Sequence, residues 1–447
     1  MRESVRPIGA PGEARRLLVV AYNFPPDGAI GGLRWAGISK YIGRLGWEVA
    51  VVTAARPVGD DGILAAHVEW CPRLWTLVDG YRALRRLGGR WRRSSTNGSR
   101  AAPPSRRAGA LRHLYRELTS VLTLPDASRG WVLRATLRAR SLIRRFQPQV
   151  VVSSGPPHSA HLVAGLATIG SSARWFIDLR DPWAGPFAKA WEPHPESPWM
   201  SAALLPRLER LTFGAAQGVI TNTPQLAQTL RDRYADLAVE CIPNGVDADR
   251  LPARSQDAYP GLGIAYAGTL YGSRDLRPVV RALRTFLDRH PEAGQAGSKL
   301  RVAGYATDTH AVRLSDAVAA AGLERHVDVL GRLPREQALT VVSRSQLAVV
   351  LAQAQALQIP GKLYESVAMG VPTLVLAEPG SAAGVEGHRI GAAVCDPSDV
   401  EAIAGVFERL WQDDFRGKWA CPVPITYEAI APLVARLFEE SGVWTRP

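Results

Sequence analysis

The segment Gln358-Ile359-Pro360-Gly361-Lys362-Leu363-Tyr364-Glu365 brings a Pro-Gly turn, an ammonium and a carboxylate together within one short stretch, just after the apolar run Leu347 to Leu351. That order predicts a strand, a loop and the start of a helix. Unpaired backbone N–H groups and the helix dipole favour an anion at such a start. Lys362 would meet phosphate charge, and Glu365, one turn beyond Gly361, could accept hydroxyl groups of a pentose. Lysine is scarce here, five residues against 49 arginines, which hints at a need for a compact ammonium at this position. A plain helix start with a surface Lys and Glu is the competing explanation. Upstream, Gly268-Thr269-Leu270-Tyr271-Gly272-Ser273-Arg274 is a glycine-bearing loop ending in a fixed cation, a group able to clamp phosphate bidentately.

Three loops in the first half carry a second set of reactive types. Phe24-Pro25-Pro26-Asp27-Gly28-Ala29-Ile30-Gly31-Gly32 joins an apolar run to a helical pattern, and glycine there permits close approach to the backbone. Ser153-Ser154-Gly155-Pro156-Pro157-His158-Ser159-Ala160-His161 sets His158 at the start of another helix, where the dipole disfavours an imidazolium. Asp178-Leu179-Arg180-Asp181-Pro182-Trp183 ends a strand with two carboxylates around a guanidinium. Each also has a structural explanation: a tight turn, a hydrogen-bonding loop histidine, and a self-contained ion pair. Asp247-Ala248-Asp249 has the look of a metal-binding pair, but it follows Pro-Asn-Gly, so a turn or helix cap is the better explanation. No His or Cys cluster has metal-ligand spacing, and neither a GxxxxGK[ST] loop nor a GxSxG elbow is present. The first loop is not GxGxxG and lacks the acidic partner of a dinucleotide ribose, which argues against a nicotinamide site.

These loops need rigid elements to hold them. Leu17 to Tyr22, a helix over Leu33 to Leu45 and Val49 to Thr53 read as strand, helix, strand, and the order recurs with Val150 to Ser153, Ser159 to Ala167 and Trp175 to Asp178. Val219 to Asn222 is a further strand end. A polar, Pro-bearing stretch from Pro252 to Pro260 marks a domain junction. Beyond it, strands at Ile264 to Ala267, Leu300 to Ala303, Val327 to Leu330, Leu347 to Leu351, Thr373 to Leu376 and Ala392 to Val394 are separated by helical patterns. The predicted helices are Asp275 to Arg289, His310 to Ala321, Arg335 to Ser343 and Gly361 to Met369, with Asp399 to Trp411 after the last strand. Such alternation calls for parallel sheet covered on both faces. The expected fold class is α/β, two Rossmann-like doubly wound sheets facing a cleft, with ligands at the carboxyl ends of the strands.

Size agrees, since 447 residues at about 150 per domain exceed a single small core. Apolar residues make up 46% and charged residues 21%, which excludes collagen, coiled coil and a wholly disordered chain. The net charge is +13, and its densest part is Tyr81 to Arg116, with eleven arginines and no acidic residue, which we take as an insertion. That segment could lie against an anionic membrane surface. No nucleic-acid partner is expected, because no stacking platform or known binding motif accompanies it. Cys71, Cys241, Cys395 and Cys421 are far apart and form no CxxC pair, as suits a reducing compartment. No secretory signal is visible, and no window approaches the roughly 18 consecutive apolar residues of a membrane-spanning helix. A cytoplasmic location is therefore expected, with peripheral contact at the inner face of the plasma membrane.

Taken in order, Phe-Pro-Pro-Asp-Gly, Ser-Gly-Pro-Pro-His-Ser-Ala-His, Asp-Leu-Arg-Asp-Pro-Trp, Pro-Asn-Gly-Val-Asp, Tyr-Ala-Gly-Thr-Leu-Tyr-Gly-Ser-Arg and Ile-Pro-Gly-Lys-Leu-Tyr-Glu resemble the motifs of family 4 retaining glycosyltransferases. The resemblance runs from about Leu17 to Asp396. It implies the two-domain GT-B fold: an acceptor-binding domain over residues 1–250, a domain for the nucleotide sugar over 251–425, and a last helix over 426–447, centred on Pro432 to Gly442, that returns to the first domain. It implies a nucleoside diphosphate sugar as co-substrate, most simply a UDP-sugar, with no cofactor and no required metal. The acceptor would be a glycan, a lipid-linked or a small molecule in cell-envelope or exopolysaccharide biosynthesis.

By the same resemblance Glu365 matches the ribose-binding glutamate, and Pro360, Gly361, Lys362 and Leu363 the phosphate-facing helix start. Gly331 and Arg332 match the base-binding loop, and Gly268 and Thr269 the donor loop. Arg274 and Lys362 are expected on the diphosphate, His158 and Asp181 beside the reacting sugars, and Gly31, Gly32 and Arg180 on the acceptor. Three positions depart from the family pattern. Leu357 stands where many members carry another glutamate, Thr269 and Asp275 stand near an expected basic pair, and His158 is offset from the usual histidine. A sugar-nucleotide 2-epimerase and a non-catalytic sugar-nucleotide scaffold are the alternatives.

Overall fold

The structure is a computed structural model and describes residues 15–25, 30–56, 67–76, 79–80, 117, 120–122, 124–184, 199–413 and 421–440. The Arg-rich segment 81–116 and residues 26–29 of the first loop lie outside the described residues.

The first half holds seven strands: β1 (Arg15–Ala21), β2 (Trp47–Thr53), β3 (His67–Trp70), β4 (Val150–Gly155), β5 (Arg174–Leu179), β6 (Gly218–Thr221) and β7 (Val239–Cys241). They form one sheet in the order β3-β2-β1-β4-β5-β6-β7, all parallel. Helices α1 (Ile30–Arg44), α2 (Val132–Phe146), α3 (Ser159–Thr168), α4 (Trp199–Ala215) and α5 (Pro224–Arg233) supply the crossovers. Alternate residues of β1 explain the continuous apolar run. Leu18 and Val20 join a cluster with α2, α3 and α5, while Leu17, Val19 and Ala21 face α1. A strand covered on both sides has no polar face to show.

The second half repeats the design with six parallel strands: β8 (Gly263–Ala267), β9 (Lys299–Ala303), β10 (Val327–Gly331), β11 (Leu347–Leu351), β12 (Thr373–Leu376) and β13 (Ala393–Cys395). Their order is β10-β9-β8-β11-β12-β13. The helices are α6 (Arg277–Arg289), α7 (Pro291–Gln295), α8 (Asp308–Ala320), α9 (Arg335–Ser343), α10 (Gly361–Ala368), α11 (Ala382–Arg389) and α12 (Val400–Gln412). The strand order reverses beside β1 and β4 in the first sheet and beside β8 and β11 in the second. The loops leaving these four strands carry four of the motifs singled out above, at the points where open α/β sheets take ligands, and the Asp178 to Trp183 motif leaves the neighbouring β5. Among the described residues no helix is long and apolar enough to cross a membrane.

The last helix, α13 (Tyr427–Glu440), returns to the first sheet. Tyr427, Ile430, Ala431, Val434 and Phe438 pack with α1 and the outer residues of β1, and Arg174 donates to the carbonyl of Phe438 at 3.0 Å. The helix starts a turn before the expected Pro432. Thr426 Oγ1 accepts the Ala429 amide at 3.4 Å and caps it, so the proline falls in the second turn and not at the start. The predicted helix at Asp275 begins at Arg277, after a turn in which the Asp275 carboxylate accepts the Arg277 amide at 2.9 Å.

Arg34, on α1, ties these parts together. It is 1% exposed and pairs with Asp178 at the end of β5, itself fully buried, at 3.1 Å. Three further donors reach the carbonyls of Ile242 and Pro243 and Oδ1 of Asn244, at 2.9, 2.8 and 3.0 Å, in the chain that leads to the second domain. Asp178 also accepts from Trp35 Nε1 and Ser154 Oγ, both at 2.8 Å. Removing one partner of a buried pair strands the other charge. Arg34→Ala is expected to cost about 3–5 kcal/mol of stability. Urea unfolding followed by tryptophan fluorescence would show the midpoint falling, and an unchanged midpoint would refute this account.

Candidate functional site

At the carboxyl ends of β8, β9 and β11 the second domain opens into a cavity of about 650 Å³. Its floor depends on backbones meeting without side chains. The Gly268 amide donates to Ala303 O and the Gly304 amide to Gly331 O, at 2.9 and 2.7 Å. Gly304 has φ +156°, and a Cβ there would lie 1.8 Å from the Gly268 carbonyl oxygen. Only glycine lets the two strand ends touch.

The loop after β8 is stapled from the side. Gln353, beyond β11, accepts the Asp275 amide and donates to the Asp275 carbonyl, both at 2.9 Å, while its own carbonyl accepts from Ser273 Oγ at 2.6 Å. His310 reaches Gly272 O at 3.1 Å from the start of α8. Thus held, Arg274 lines the cavity with its guanidinium 4.8 Å from the Tyr271 ring centre, and its buried Nε has no partner. Thr269 and Gly268 line the same wall.

Helix α10 enters from the other side. Pro360 occupies its cap position and no side chain caps it. Pro360, Gly361, Lys362 and Glu365 all line the cavity, as do Arg332 and Arg335 beyond β10. Glu365 is buried. Arg335 donates to its Oε1, and Lys362 Nζ lies 2.8 Å from its Oε2, close enough for an ion pair but not aligned as a hydrogen bond. Leu363 is a correction to the expected set. Its side chain is fully buried in the core under α10 and its amide bonds to Pro360 O at 3.0 Å, because the third position of this helix faces the sheet. Gly331 contributes backbone geometry, φ +69° at the end of β10, and no cavity wall. Arg335 and Gln353 were missed by sequence reasoning. Arg335 stands in an ordinary helical pattern after the Gly-Arg step, and nothing local to Gln353 marks it as a staple.

The first domain's motifs come together elsewhere. Of its described residues, Leu33 alone reaches the cavity wall. His158 is buried and stacked on Trp183, centroids 4.8 Å apart, with His161 tilted against both. Burial, with His161 and Arg180 adding to it, holds the His158 ring well below its usual pKa. Burial likewise takes His161 down to about 3, against the pull of Asp178. Both rings are therefore neutral, and His158 is enclosed instead of facing the cavity as its loop position led us to expect. Arg180 donates to Pro156 O and lies against Gly31, where a Cβ would overlap its guanidinium, while Gly32 passes close to the Phe24 backbone. Asp181 bonds across the domains, accepting Gln358 Nε2 at 2.8 Å, and desolvation pushes its carboxyl up. Beside it Leu357 is packed into the first domain's core with Trp183 and Leu226, and its carbonyl accepts Thr223 Oγ1 at 2.9 Å. The position that lacks the expected glutamate thus serves a domain contact.

Asp247 and Asp249 are bridged by the Lys40 ammonium at 2.8 and 2.7 Å, and Asp247 caps the short turn that follows. Among the described residues no group of three or more His, Cys, Asp or Glu is arranged to hold a metal ion.

Sequence and fold comparisons agree with the two-domain fold. Residues 34–250 match the family described as Glycosyltransferase Family 4, and residues 264–420 match Glycosyl transferases group 1. The chain belongs to the superfamily of GT-B glycosyltransferases. Similar solved structures include Anabaena HepE in complex with UDP and glucose, at 15% identity and TM-score 0.57, covering 95% of this chain and 98% of that one. Sucrose-phosphate synthase from Thermosynechococcus elongatus has 12% identity and TM-score 0.57, covering 96% and 99%. A UDP-N-acetylglucosamine 2-epimerase has 14% identity and TM-score 0.50, covering 97% and 99%. At these identities the likeness is one of fold. No curated protein matches the sequence.

Two neutral buried histidines have a consequence for stability. Below about pH 6.5 the unfolded chain takes protons that the native rings refuse, so stability falls as pH drops from there toward 3, by up to ~1.4 kcal/mol per pH unit for each ring. His161→Gln should flatten that slope in denaturant midpoints between pH 6.5 and 4.5, and an unaltered slope would contradict the burial assigned to His161.

Proposed function

We propose that this glycosyltransferase takes its sugar from a nucleoside diphosphate sugar, a UDP-sugar in the first instance, and transfers it with retention of anomeric configuration. The acceptor would be a glycan, a lipid-linked or a small molecule of cell-envelope or exopolysaccharide biosynthesis. One observation carries the reading: among the described residues the cavity is lined by four cations, Arg274, Arg332, Arg335 and Lys362, against the single carboxylate Glu365. That balance suits a diphosphate, with one acceptor group left for ribose hydroxyls. HepE, a fold relative, has been crystallised with UDP and glucose and with UDP-glucose, which supports the choice of donor.

Lys362 and Arg335 lean on Glu365. A bound donor offers them phosphate oxygens and offers the carboxylate hydroxyl groups, so charges already gathered change partners and need little reorganisation. As the bond from the anomeric carbon to the phosphate oxygen breaks, negative charge grows on the leaving diphosphate. Arg274, Lys362 and the amides opening α10 then bind the transition state more strongly than the ground state. The acceptor oxygen bonds to the anomeric carbon on the face the phosphate leaves, and its proton passes to a phosphate oxygen. This order needs no enzyme nucleophile. His158 and Asp181 would act by holding the first domain's loops against this site.

Lys362→Ala and Arg274→Ala should each lower turnover roughly 10²-fold, the scale of one lost charge-stabilising contact. Glu365→Gln should chiefly weaken nucleotide affinity. Thermal shifts with UDP and UDP-glucose test donor binding, since a ligand of the native state raises the melting point by mass action. A full shift in the Lys362 and Arg274 variants with unchanged turnover would remove both from the mechanism. Epimerised sugar from a donor-only incubation would replace transfer by epimerisation.

A further inference from the structure

Helix α2 carries an outward face that the reaction does not use. Ala135, Ala139, Leu142 and Ile143 turn inward. On the opposite side Leu133, Leu137, Arg140 and Arg144 recur at i, i+4, i+7 and i+11, so they form one stripe along the helix. The leucines are 67% and 62% exposed. Arg134, Arg138 and Arg145 lie along one side of the stripe, and the helix has no acidic residue. Arg145 pairs with Glu69 at 2.7 Å, whereas Arg134 and Arg138 have no ion-pair partner among the described residues.

The chain passes from α2 straight into β4, so the helix runs against the strands and its first turn lies at the carboxyl end of the sheet. There the Leu74 amide donates to Gly130 O at 3.0 Å and Arg73 Nε to Ala127 O at 3.0 Å, which sets Trp75, 76% exposed, beside the start of α2. Two exposed leucines in the first turns, arginines along the rest of the stripe and on one margin, and an indole at one end suit a helix lying against a lipid surface.

We infer that the outward face of α2, with Trp75, is a docking surface for an anionic lipid bilayer. The leucines and the indole enter the headgroup boundary and the arginines meet lipid phosphates. Charge selects this occupant: a second copy of the chain would bring a face of the same sign, and a nucleic acid would leave Leu133, Leu137 and Trp75 in water. The inference does not depend on the reaction proposed above. It would place the cleft end of the acceptor domain next to the bilayer, where a lipid-linked acceptor would be found.

The test is sedimentation of the full chain with vesicles of phosphatidylcholine, with and without phosphatidylglycerol. Binding should require the anionic lipid and weaken in high salt. Leu133→Gln/Leu137→Gln and Arg134→Gln/Arg138→Gln should each lower partitioning about tenfold. Both sets of positions are exposed, so the melting temperature and the shift given by UDP should stay as in the parent protein. Loss of vesicle binding with the UDP response intact supports the inference. It is overturned if the parent ignores anionic vesicles or if both double variants bind as the parent does. It is also overturned if the parent self-associates through this face, or if binding disappears only when 81–116 is deleted.

Discussion

Arg34 is a charged side chain held almost wholly out of water, a placement tolerated only where its donors are met. Four of its five N–H groups are met: one by Asp178 at the end of β5 and three by Ile242, Pro243 and Asn244, where the chain leaves the first domain. Asp178 is completed in turn by Trp35 and Ser154. The direction in which the chain departs toward the second sheet is therefore coupled to the end of β5, and so to Arg180 and Asp181. Lys40 with Asp247 and Asp249, and the pairing of Val246 with Thr426, extend the same junction to the base of α13.

The two halves use one topology for different work. In the second domain the loops at the reversal of strand order expose cations to a cavity, and the packing beneath them lets backbones converge at Gly268, Gly304 and Gly331. In the first domain the corresponding loops turn inward. His158, His161 and Trp183 stack in the interior, and Gly31 gives way to Arg180. Cations line the cavity of the second domain, while the first domain's loops are closed by packing. Leu357 follows the same division, since its apolar side chain joins the first domain's core.

Much of the strand pattern and the class of fold were legible because a parallel sheet covered on both faces writes continuous apolar runs into the chain. Val49 to Thr53, Leu347 to Leu351 and Thr373 to Leu376 needed no three-dimensional information. Weaker elements escaped. β3, with a partly exposed pattern, and β7, only three residues long, carry too little signal, and α4 contains Pro206, which reads as a break. Boundaries moved where a side chain decided them, as Thr426 did for α13. In the site, the loop after β8 and the start of α10 stood out because glycine, proline and a rare lysine mark a backbone with a task.

By itself the sequence determined two doubly wound halves, the strand ends at which each would bind, and the residue types brought there, since periodicity and turn chemistry are local properties of a chain. Tertiary structure decided which of those residues share a cavity. It placed Arg335 on Glu365, Gln353 on the loop of Arg274, and Leu357 in the other domain's core, and it closed His158 away from solvent. Each of these contacts joins residues distant along the chain. Their proximity follows from how the sheets pack, and no local pattern encodes that packing.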